Sequence, residues 1–487
     1  METATNLFKK LLVLMGLGSL VFSLACGDGG GGKFPPPLGG FSNASLSGQF
    51  AYQMSGLTLP NGTPFRESGV FTADGNGRLT AITDDFALGN NVTTDPGTGT
   101  YSVSSDGTAT AVFNFSSGSI SLALTLVSAT KFYIVESDNF ATSFGVGQKQ
   151  DTAAFSNIPS GTFVFRNHTL STSQGSTSTV GVFTATNGTL AGTIDRNRAG
   201  VLSSSNITGL LNFPDSTNGR GSGTFTDSNN ATSSFLYYVV DANHIQLFST
   251  DTGIIGIGQA EKQSGAPFSL ASLSGGYAFQ TRGDTGNNIA GLNTVGRFTA
   301  DGAGNITDGA LDSVEDGASS ANITFTGTYT MSAAGRATVS TNPSAGAAQQ
   351  IFWMVSPARA FSLTNSTNVV EDGTLDLQSG TFANSTLNGQ YAFVMDGIDT
   401  GTKDRVGTFL WNGNGGVTVR ELANASGFTS TSTLSGNYSV SSNGRAVTQV
   451  NSLSNNLVFY LISGNDAYIL QNDPGVEISG VMSKQPQ

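Results

Sequence analysis

The sequence predicts an all-β protein: four tandem copies of one small antiparallel meander domain. Three observations predict it. FSNASLSGQFAYQ at Phe41 returns as FSNIPSGTFVFRN at Phe155, FSLASLSGGYAFQ at Phe268 and FANSTLNGQYAFV at Phe382. The starts lie 113 or 114 residues apart (155−41, 268−155, 382−268). Such a period exceeds the roughly 20–50 residues of a solenoid unit and suits a domain with its own core. The second observation is a period-2 alternation after each start, as in Phe50, Tyr52, Met54 and in Tyr391, Phe393, Met395. It marks a strand with one buried face. The third is a series of Asp-Gly and Asn-Gly turns between alternating runs, the residues that tight hairpins need for positive φ.

Along the chain, residues 1–25 read as a signal peptide. Lys9 and Lys10 precede a short apolar stretch from Leu11 to Ala25, too short and Gly/Ser-broken for a membrane span. Residues 26–40 form a Gly/Pro-rich tether containing GDGGGGKFPPPLGG, flexible but locally stiffened by its prolines. The copies then span 41–150, 155–263, 268–378 and 382–485.

Each copy opens with Gly-x-aromatic: Gly48/Phe50, Gly161/Phe163, Gly275/Tyr277 and Gly389/Tyr391. A first hairpin follows at Gly69, Gly181, Gly296 and Gly407. A second starts at Gly99, Gly209, Gly327 and Gly436. The most apolar pair comes next: LALTLVSATKFYIVE, FLYYVVDANHIQLF, IFWMVSPARAFSLT and LVFYLISGNDAYILQ. A short strand closes each copy near Gln150, Gln263, Gln378 and Gln485. About eight sequential strands favour an up-and-down barrel, whose closure removes the sheet edges. A β-sandwich is the alternative.

Ser23-Leu24-Ala25-Cys26 resembles the lipobox of bacterial lipoproteins, with Ser23 where that family usually has Leu. The resemblance implies acylation at Cys26, the chain's one cysteine, and a membrane held through several acyl chains. Asp28 lies one place beyond the position of the inner-membrane retention signal associated with that family. The implied address is the bacterial cell envelope, at the outer membrane. Residues 41–485 are similar to the lipocalin-like (calycin) barrels of bacterial lipoproteins. Phe50, Phe163, Tyr277 and Tyr391 stand where that family has a first-strand Trp. Lys149, Lys262 and Lys484 match the basic residue packing on it, and the third copy has Leu377.

The formal charge is −12, with no Lys/Arg run, so nucleic acid is excluded as an electrostatic partner. One cysteine leaves no intrachain disulfide, and apolar burial and sheet hydrogen bonds must hold each copy. His168 and His244 occur only in the second copy, and without convergence on a nucleophile or further ligands they make no active or metal site. Asp74, Asp84, Asp85, Asp195, Asp301, Asp312, Glu315 and Asp316 lie in or after the first hairpin. They lack the spacing of a calcium loop, and the fourth copy replaces most of them, leaving Asn412 and Glu421. Arg220, Arg336 and Arg445 recur in hairpin turns and read as solvated, with Thr108 in the first copy. Trp411 replaces Ala73, Ala185 and Ala300, one residue before a turn and near a rim. Trp353 sits in an apolar strand. Both are candidate ligand-binding aromatics. No cofactor, metal or catalytic residue is expected.

The sequence favours a non-enzymatic envelope lipoprotein presenting four modules as spacer, adhesin or binding array, since reach and avidity scale with copy number. Its partners would be the membrane and a glycan or envelope component. A carrier of small apolar ligands in lipocalin-like barrels is one alternative. A polysaccharide-acting hydrolase is another.

Overall fold

A computed structural model describes residues 40–171, 175–284, 291–343, 348–367, 369–450 and 455–486. Cys26, the leader and the tether to Gly39 lie outside the described residues. Four closed eight-stranded antiparallel up-and-down barrels follow one another. In barrel 1 the strands are Ser47–Thr58, Thr63–Asp74, Arg78–Leu88, Asn91–Val103, Thr108–Phe115, Gly118–Ser128, Lys131–Glu136 and Ala141–Lys149. The eighth pairs back onto the first, with Phe50 opposite Lys149. Barrel 2 runs from Gly161 to Lys262, barrel 3 from Ser274 to Leu377 and barrel 4 from Asn388 to Lys484. Full closure leaves no free sheet edge, which decides between barrel and sandwich.

Local chemistry explains the turns. After the second strand of barrel 1, Asp74 Oδ1 accepts from the backbone N–H of Asn76 (2.7 Å) and Arg78 (3.0 Å), while Gly75 and Gly77 hold φ of 78° and 106°. Asp301 does the same, and Asn412 substitutes for the aspartate in barrel 4. The side chain therefore serves as a hydrogen-bond acceptor for the turn, a role Asn also fills.

Inward-facing aromatics build each core. The opening aromatic stacks on the second-strand Phe opposite it, as in Phe50–Phe71, Phe163–Phe183 and Tyr277–Phe298, each with ring centroids 5.6 Å apart. A short 3-10 turn plugs the end of barrels 1, 3 and 4. It is tied down by Tyr101, Tyr329 and Tyr438, whose hydroxyls donate to the carbonyls of Leu46, Leu273 and Leu387.

The barrels do not lie in a row. Strands one to three of barrel 1 pack on strands six and eight of barrel 2, and barrel 2 packs likewise on barrel 3 and barrel 3 on barrel 4. The first two strands of barrel 4 then pack on strands six to eight of barrel 1. The contacts form a closed head-to-tail ring. Each junction has its own apolar cluster, such as Val164, Val180, Ile351, Trp353, Phe361 and Leu363 between barrels 2 and 3. Burying such side chains contributes about 1.5–3 kcal/mol each.

Two polar devices repeat around the ring. The glutamine after each last strand reaches into the next barrel. Gln150, Gln263 and Gln378 donate to the carbonyls of Val239, Met354 and Leu461 (2.7 Å each). Gln485 closes the circle on Leu126 of barrel 1 (2.6 Å). The second device is a two-pronged ion pair: Arg220 with Asp85, Arg336 with Asp195 and Arg445 with Asp312. An aromatic donor joins each carboxylate, namely Tyr238, Trp353 and Tyr460. The arginines are therefore structural partners of the next-door aspartates, and not solvated turn residues.

At the junction of barrels 4 and 1 all three members of this triad change together. By strand register, Leu422, Thr108 and Thr125 take the places of the aspartate, arginine and aromatic. Leu422 packs into that junction's apolar cluster. Arg282 of barrel 3 pairs with Asp396 of barrel 4 and lies over the Phe144 ring of barrel 1, 5.1 Å away. Barrels 1 and 3 are diagonal neighbours, so Arg282 crosses the middle of the ring.

Arg336→Ala strands the Asp195 carboxylate, whose side chain is 1% exposed, and should cost about 3–5 kcal/mol. Asp195→Leu with Arg336→Thr copies two of the three changes at the closing junction and should recover part of that loss, the Trp353 Nε1 donor to Asp195 being left without its acceptor. Thermal unfolding of the three chains checks both statements, and an Arg336→Ala midpoint equal to the parent would contradict them.

Candidate functional site

Barrel 2 is hollow near a level where barrels 1 and 4 carry a methionine on the first strand and barrel 1 adds a phenylalanine on the third. On the first strand Met54 and Met395 point into their lumens, and Asn167 occupies the same register position in barrel 2. On the third strand Phe86 of barrel 1 packs tilted against Phe65, ring centroids 5.1 Å apart. The register equivalent in barrel 2 is Arg196. The result is a cup of about 100 Å3 in barrel 2, close in scale to an apolar cavity of about 150 Å3 that admits benzene.

Three layers make up its wall. The floor is apolar, with Phe165, Ile194, Ile207, Phe225, Phe235 and Leu247, and Phe225 stacks on Phe235 at 4.7 Å. Above it come Asn167, Thr169, Thr177, Thr179, Ser233 and Ser249, and at the mouth Arg196, Arg198, Asp227 and Asp251. These side chains face inward because alternate residues of a strand share a face. Asp195 and Asn197, between them in sequence, face barrel 3, where Asn197 donates to the carbonyls of Thr364, Ser366 and Val369.

Charge at the mouth is unevenly spent. Arg196 Nη1 lies 3.3 Å from Asp227 Oδ2. Burial pushes the Asp227 carboxyl up, but the N–H groups of Asn229 and Ala231 and the Arg196 guanidinium outweigh it, so it falls below the ordinary value. Arg198 is exposed and makes no ion pair or hydrogen bond among the described residues. Burial, then repulsion from Arg196, lowers its pKa, and a bound anion would relieve that repulsion.

The sequence-based candidates fall elsewhere. Trp411 is 1% exposed in the barrel 4 core, packed on Phe409, Tyr438 and Phe459; it lies inside the barrel and not at a rim. Trp353, 2% exposed, is in the junction of barrels 2 and 3. Cys26 lies outside the described residues. His244 pairs with Asp241 on the surface. His168 meets two serines and an aspartate between barrels 2 and 3. Among the described residues no group of three or more His, Cys, Asp or Glu is placed to hold a metal ion.

Two lumens hold buried acids. In barrel 1 Asp84 accepts from Tyr52 Oη (2.8 Å) and lies beside Glu67. The pair is enclosed, with Phe65 and Phe86 between it and the barrel end, so it offers no sugar-sized cleft. In barrel 3 Glu371 accepts from Thr281 (3.0 Å) and Thr364 (2.9 Å), and burial raises its pKa to about 7 despite those donors.

The sequence reading passed over Arg196, Arg198 and Asp227. A signal was present: at lumen-facing positions, FRNH and DRNR of the second copy put Asn167, Arg196 and Arg198 where the first copy has Met54, Phe86 and Leu88 and the fourth has Met395, Ala423 and Ala425.

No family model matches the chain, and no curated protein matches it. Among solved structures, a double mutant of transferrin binding protein B from Haemophilus parasuis Hp5 is 12% identical, over 69% of this chain and 76% of that one, with a TM-score of 0.20. Kievitone hydratase from Nectria haematococca is 6% identical over 67% and 90%, with a TM-score of 0.18. CghA with Sch210972 is 7% identical over 90% and 89%, with a TM-score of 0.15. Likeness at these scores carries no argument about what this chain does.

Glu371 supplies a pH test. Its folded pKa of about 7 stands above the unfolded value of about 4.3. The folded state thus holds the proton longer, and the contribution of this group is lost as pH rises through that window. Glu371→Gln, which cannot ionise, should gain on the parent in melting temperature from about pH 4 to about pH 7 and hold a constant lead above. A lead independent of pH would mean that the folded carboxyl binds its proton no more tightly than the unfolded one, and would contradict the shift.

Proposed function

We propose that the chain is a lipid-anchored cell-envelope protein whose ring of four barrels is a rigid binding module, with the cup of barrel 2 as its ligand site. The observation that carries this reading is the hollow itself: barrel 2 encloses a cup, and at the first-strand position where barrels 1 and 4 place Met54 and Met395 it has Asn167. Ser23-Leu24-Ala25-Cys26 supports the address, by resemblance to the lipobox. An acyl anchor at Cys26 would supply the attachment; no helix among the described residues is long and apolar enough to cross a membrane.

The layering of the cup selects the ligand class. An apolar floor under a rim with an unspent guanidinium suits a small amphiphile: an apolar group of benzene's scale bearing one carboxylate. The resemblance to lipocalin-like barrels points to the lumen too, by fold analogy alone. A closed ring gains no length from its copies, so the spacer role draws no support from the repetition.

Benzoate and benzyl alcohol separate the contributions. Native mass spectrometry and calorimetry should show benzoate bound once per chain and more tightly than the alcohol. Arg198→Ala should weaken benzoate by roughly tenfold and leave the alcohol unchanged, while Ile207→Trp, which fills the floor, should remove both. Equal binding of benzoate by the parent and Arg198→Ala would refute the site. Cys26→Ser should move the protein from the membrane to the soluble envelope fraction and abolish labelling by palmitate.

A further inference from the structure

The outer wall of barrel 2 carries chemistry that the cup does not use. His168 is on its first strand, Gly161–Ser171, and Ser176 and Ser178 are on its second, Gly175–Thr186. All three alternate with the cup-lining Asn167, Thr169, Thr177 and Thr179, and so face outward. Barrel 3 brings Asp372, on its last strand, against them.

Hydrogen-bond accounting sets the imidazole tautomer. Asp372 Oδ2 lies 3.0 Å from His168 Nδ1 and also accepts from Ser178 Oγ at 2.8 Å. Arg166 Nη1 donates to the other oxygen at 2.9 Å. Burial pushes the Asp372 carboxyl up, but the hydrogen bond and charge of His168 and the charge of Arg166 prevail and hold it at about 2. An ionised carboxylate only accepts, so Nδ1 carries the proton, and in the neutral ring Nε2 then presents its lone pair. Ser176 Oγ lies 3.1 Å from that Nε2 and donates to it. This is the connectivity of a serine nucleophile, its base and the carboxylate that orients the base, which is recognised by geometry and roles and not by position in the chain. The Asp372 side chain is 6% exposed and that of His168 is 24% exposed, and Ser176 is half-buried. The anion is shielded while base and hydroxyl meet solvent. At the register position of His168 the other barrels have Ser55, Arg282 and Asp396, so the arrangement belongs to barrel 2.

We propose that Ser176, His168 and Asp372 form a nucleophilic relay that takes an acyl group from small activated esters at the junction of barrels 2 and 3. Ser176 Oγ forms a bond to the carbonyl carbon as its proton passes to His168 Nε2. The ester C–O bond breaks, and the leaving alkoxide takes that proton. Water then attacks the acyl-serine, gives a proton to Nε2, and Ser176 leaves with it. Asp372 keeps its negative charge throughout and holds the imidazolium. Arg166 and Ser178 are positioning residues acting through Asp372.

A fluorophosphonate probe on the intact chain tests this, since it phosphonylates serines that a neighbouring base activates. Peptide mapping should place the adduct on Ser176. Ser176→Ala, an outer-wall change that leaves both cores intact, should abolish it. His168→Gln should slow labelling by roughly a hundredfold, with circular dichroism and melting temperature matching the parent. Absence of an adduct at Ser176, or equal rates for parent and His168→Gln, would overturn the relay. Benzoate binding by Ser176→Ala should equal that of the parent, which separates the relay from the cup.

Discussion

Closure of the ring is the constraint on which the other features depend. A lone soluble barrel buries the inner face of each strand and shows water the outer one. Here the sixth strand is apolar on both faces. Leu457, Phe459 and Leu461 fill barrel 4, while Val458 and Tyr460, between them, pack against barrel 3. Each barrel therefore needs a neighbour on two sides. A head-to-tail interface either propagates or closes, and four barrels close it. The fourth and fifth strands point away from the ring, and the fourth is accordingly rich in exposed Ser and Thr, as in Thr429–Ser435.

The junctions divide two jobs. Apolar clusters supply adhesion, and the buried ion pairs set register. A buried pair is weak evidence for net stability but costly to break singly, so a barrel that slips from its place leaves an aspartate unpaired in an apolar setting. The closing junction replaces the buried pair with a longer, more exposed one, Arg420 with Asp106 at 3.7 Å, and keeps the glutamine. Asn424 of barrel 4 adds a further tie there, donating to the carbonyls of Glu136, Asp138 and Ala141. Register at that junction is already imposed by the three before it, because the ring must meet its own beginning.

Once the ring holds every barrel, individual lumens can diverge. Barrel 4 accepts Trp411 where the others have Ala, and its Nε1 is left without a hydrogen-bond partner. Barrels 1 and 3 tolerate buried carboxyls. Barrel 2 has Asn167 where barrels 1 and 4 have methionine and carries Arg196 and Arg198 at its mouth, with His168 and Ser176 on its outer wall. The second copy thus holds both the cup and the serine–histidine–aspartate arrangement, and the serine arrangement needs barrel 3 for its carboxylate.

The sequence by itself determined the all-β class, the repetition and the meander order, because strand alternation and turn chemistry act over a few residues. It also carried marks whose meaning stayed closed. The fourth copy lacks the acid after its first hairpin and the first copy lacks the arginine of its second, and the two gaps meet at one junction. The glutamines at the ends of the copies, legible as boundary marks, are clamps. Only the tertiary structure decided these partnerships, since Asp85 and Arg220 are 135 residues apart and share no local pattern. It also decided which lumen is hollow, because filling depends on side chains from several strands converging on one volume. Ring closure likewise follows from the angle between two outer faces of each barrel, a quantity set by closing the sheet and written in no single segment.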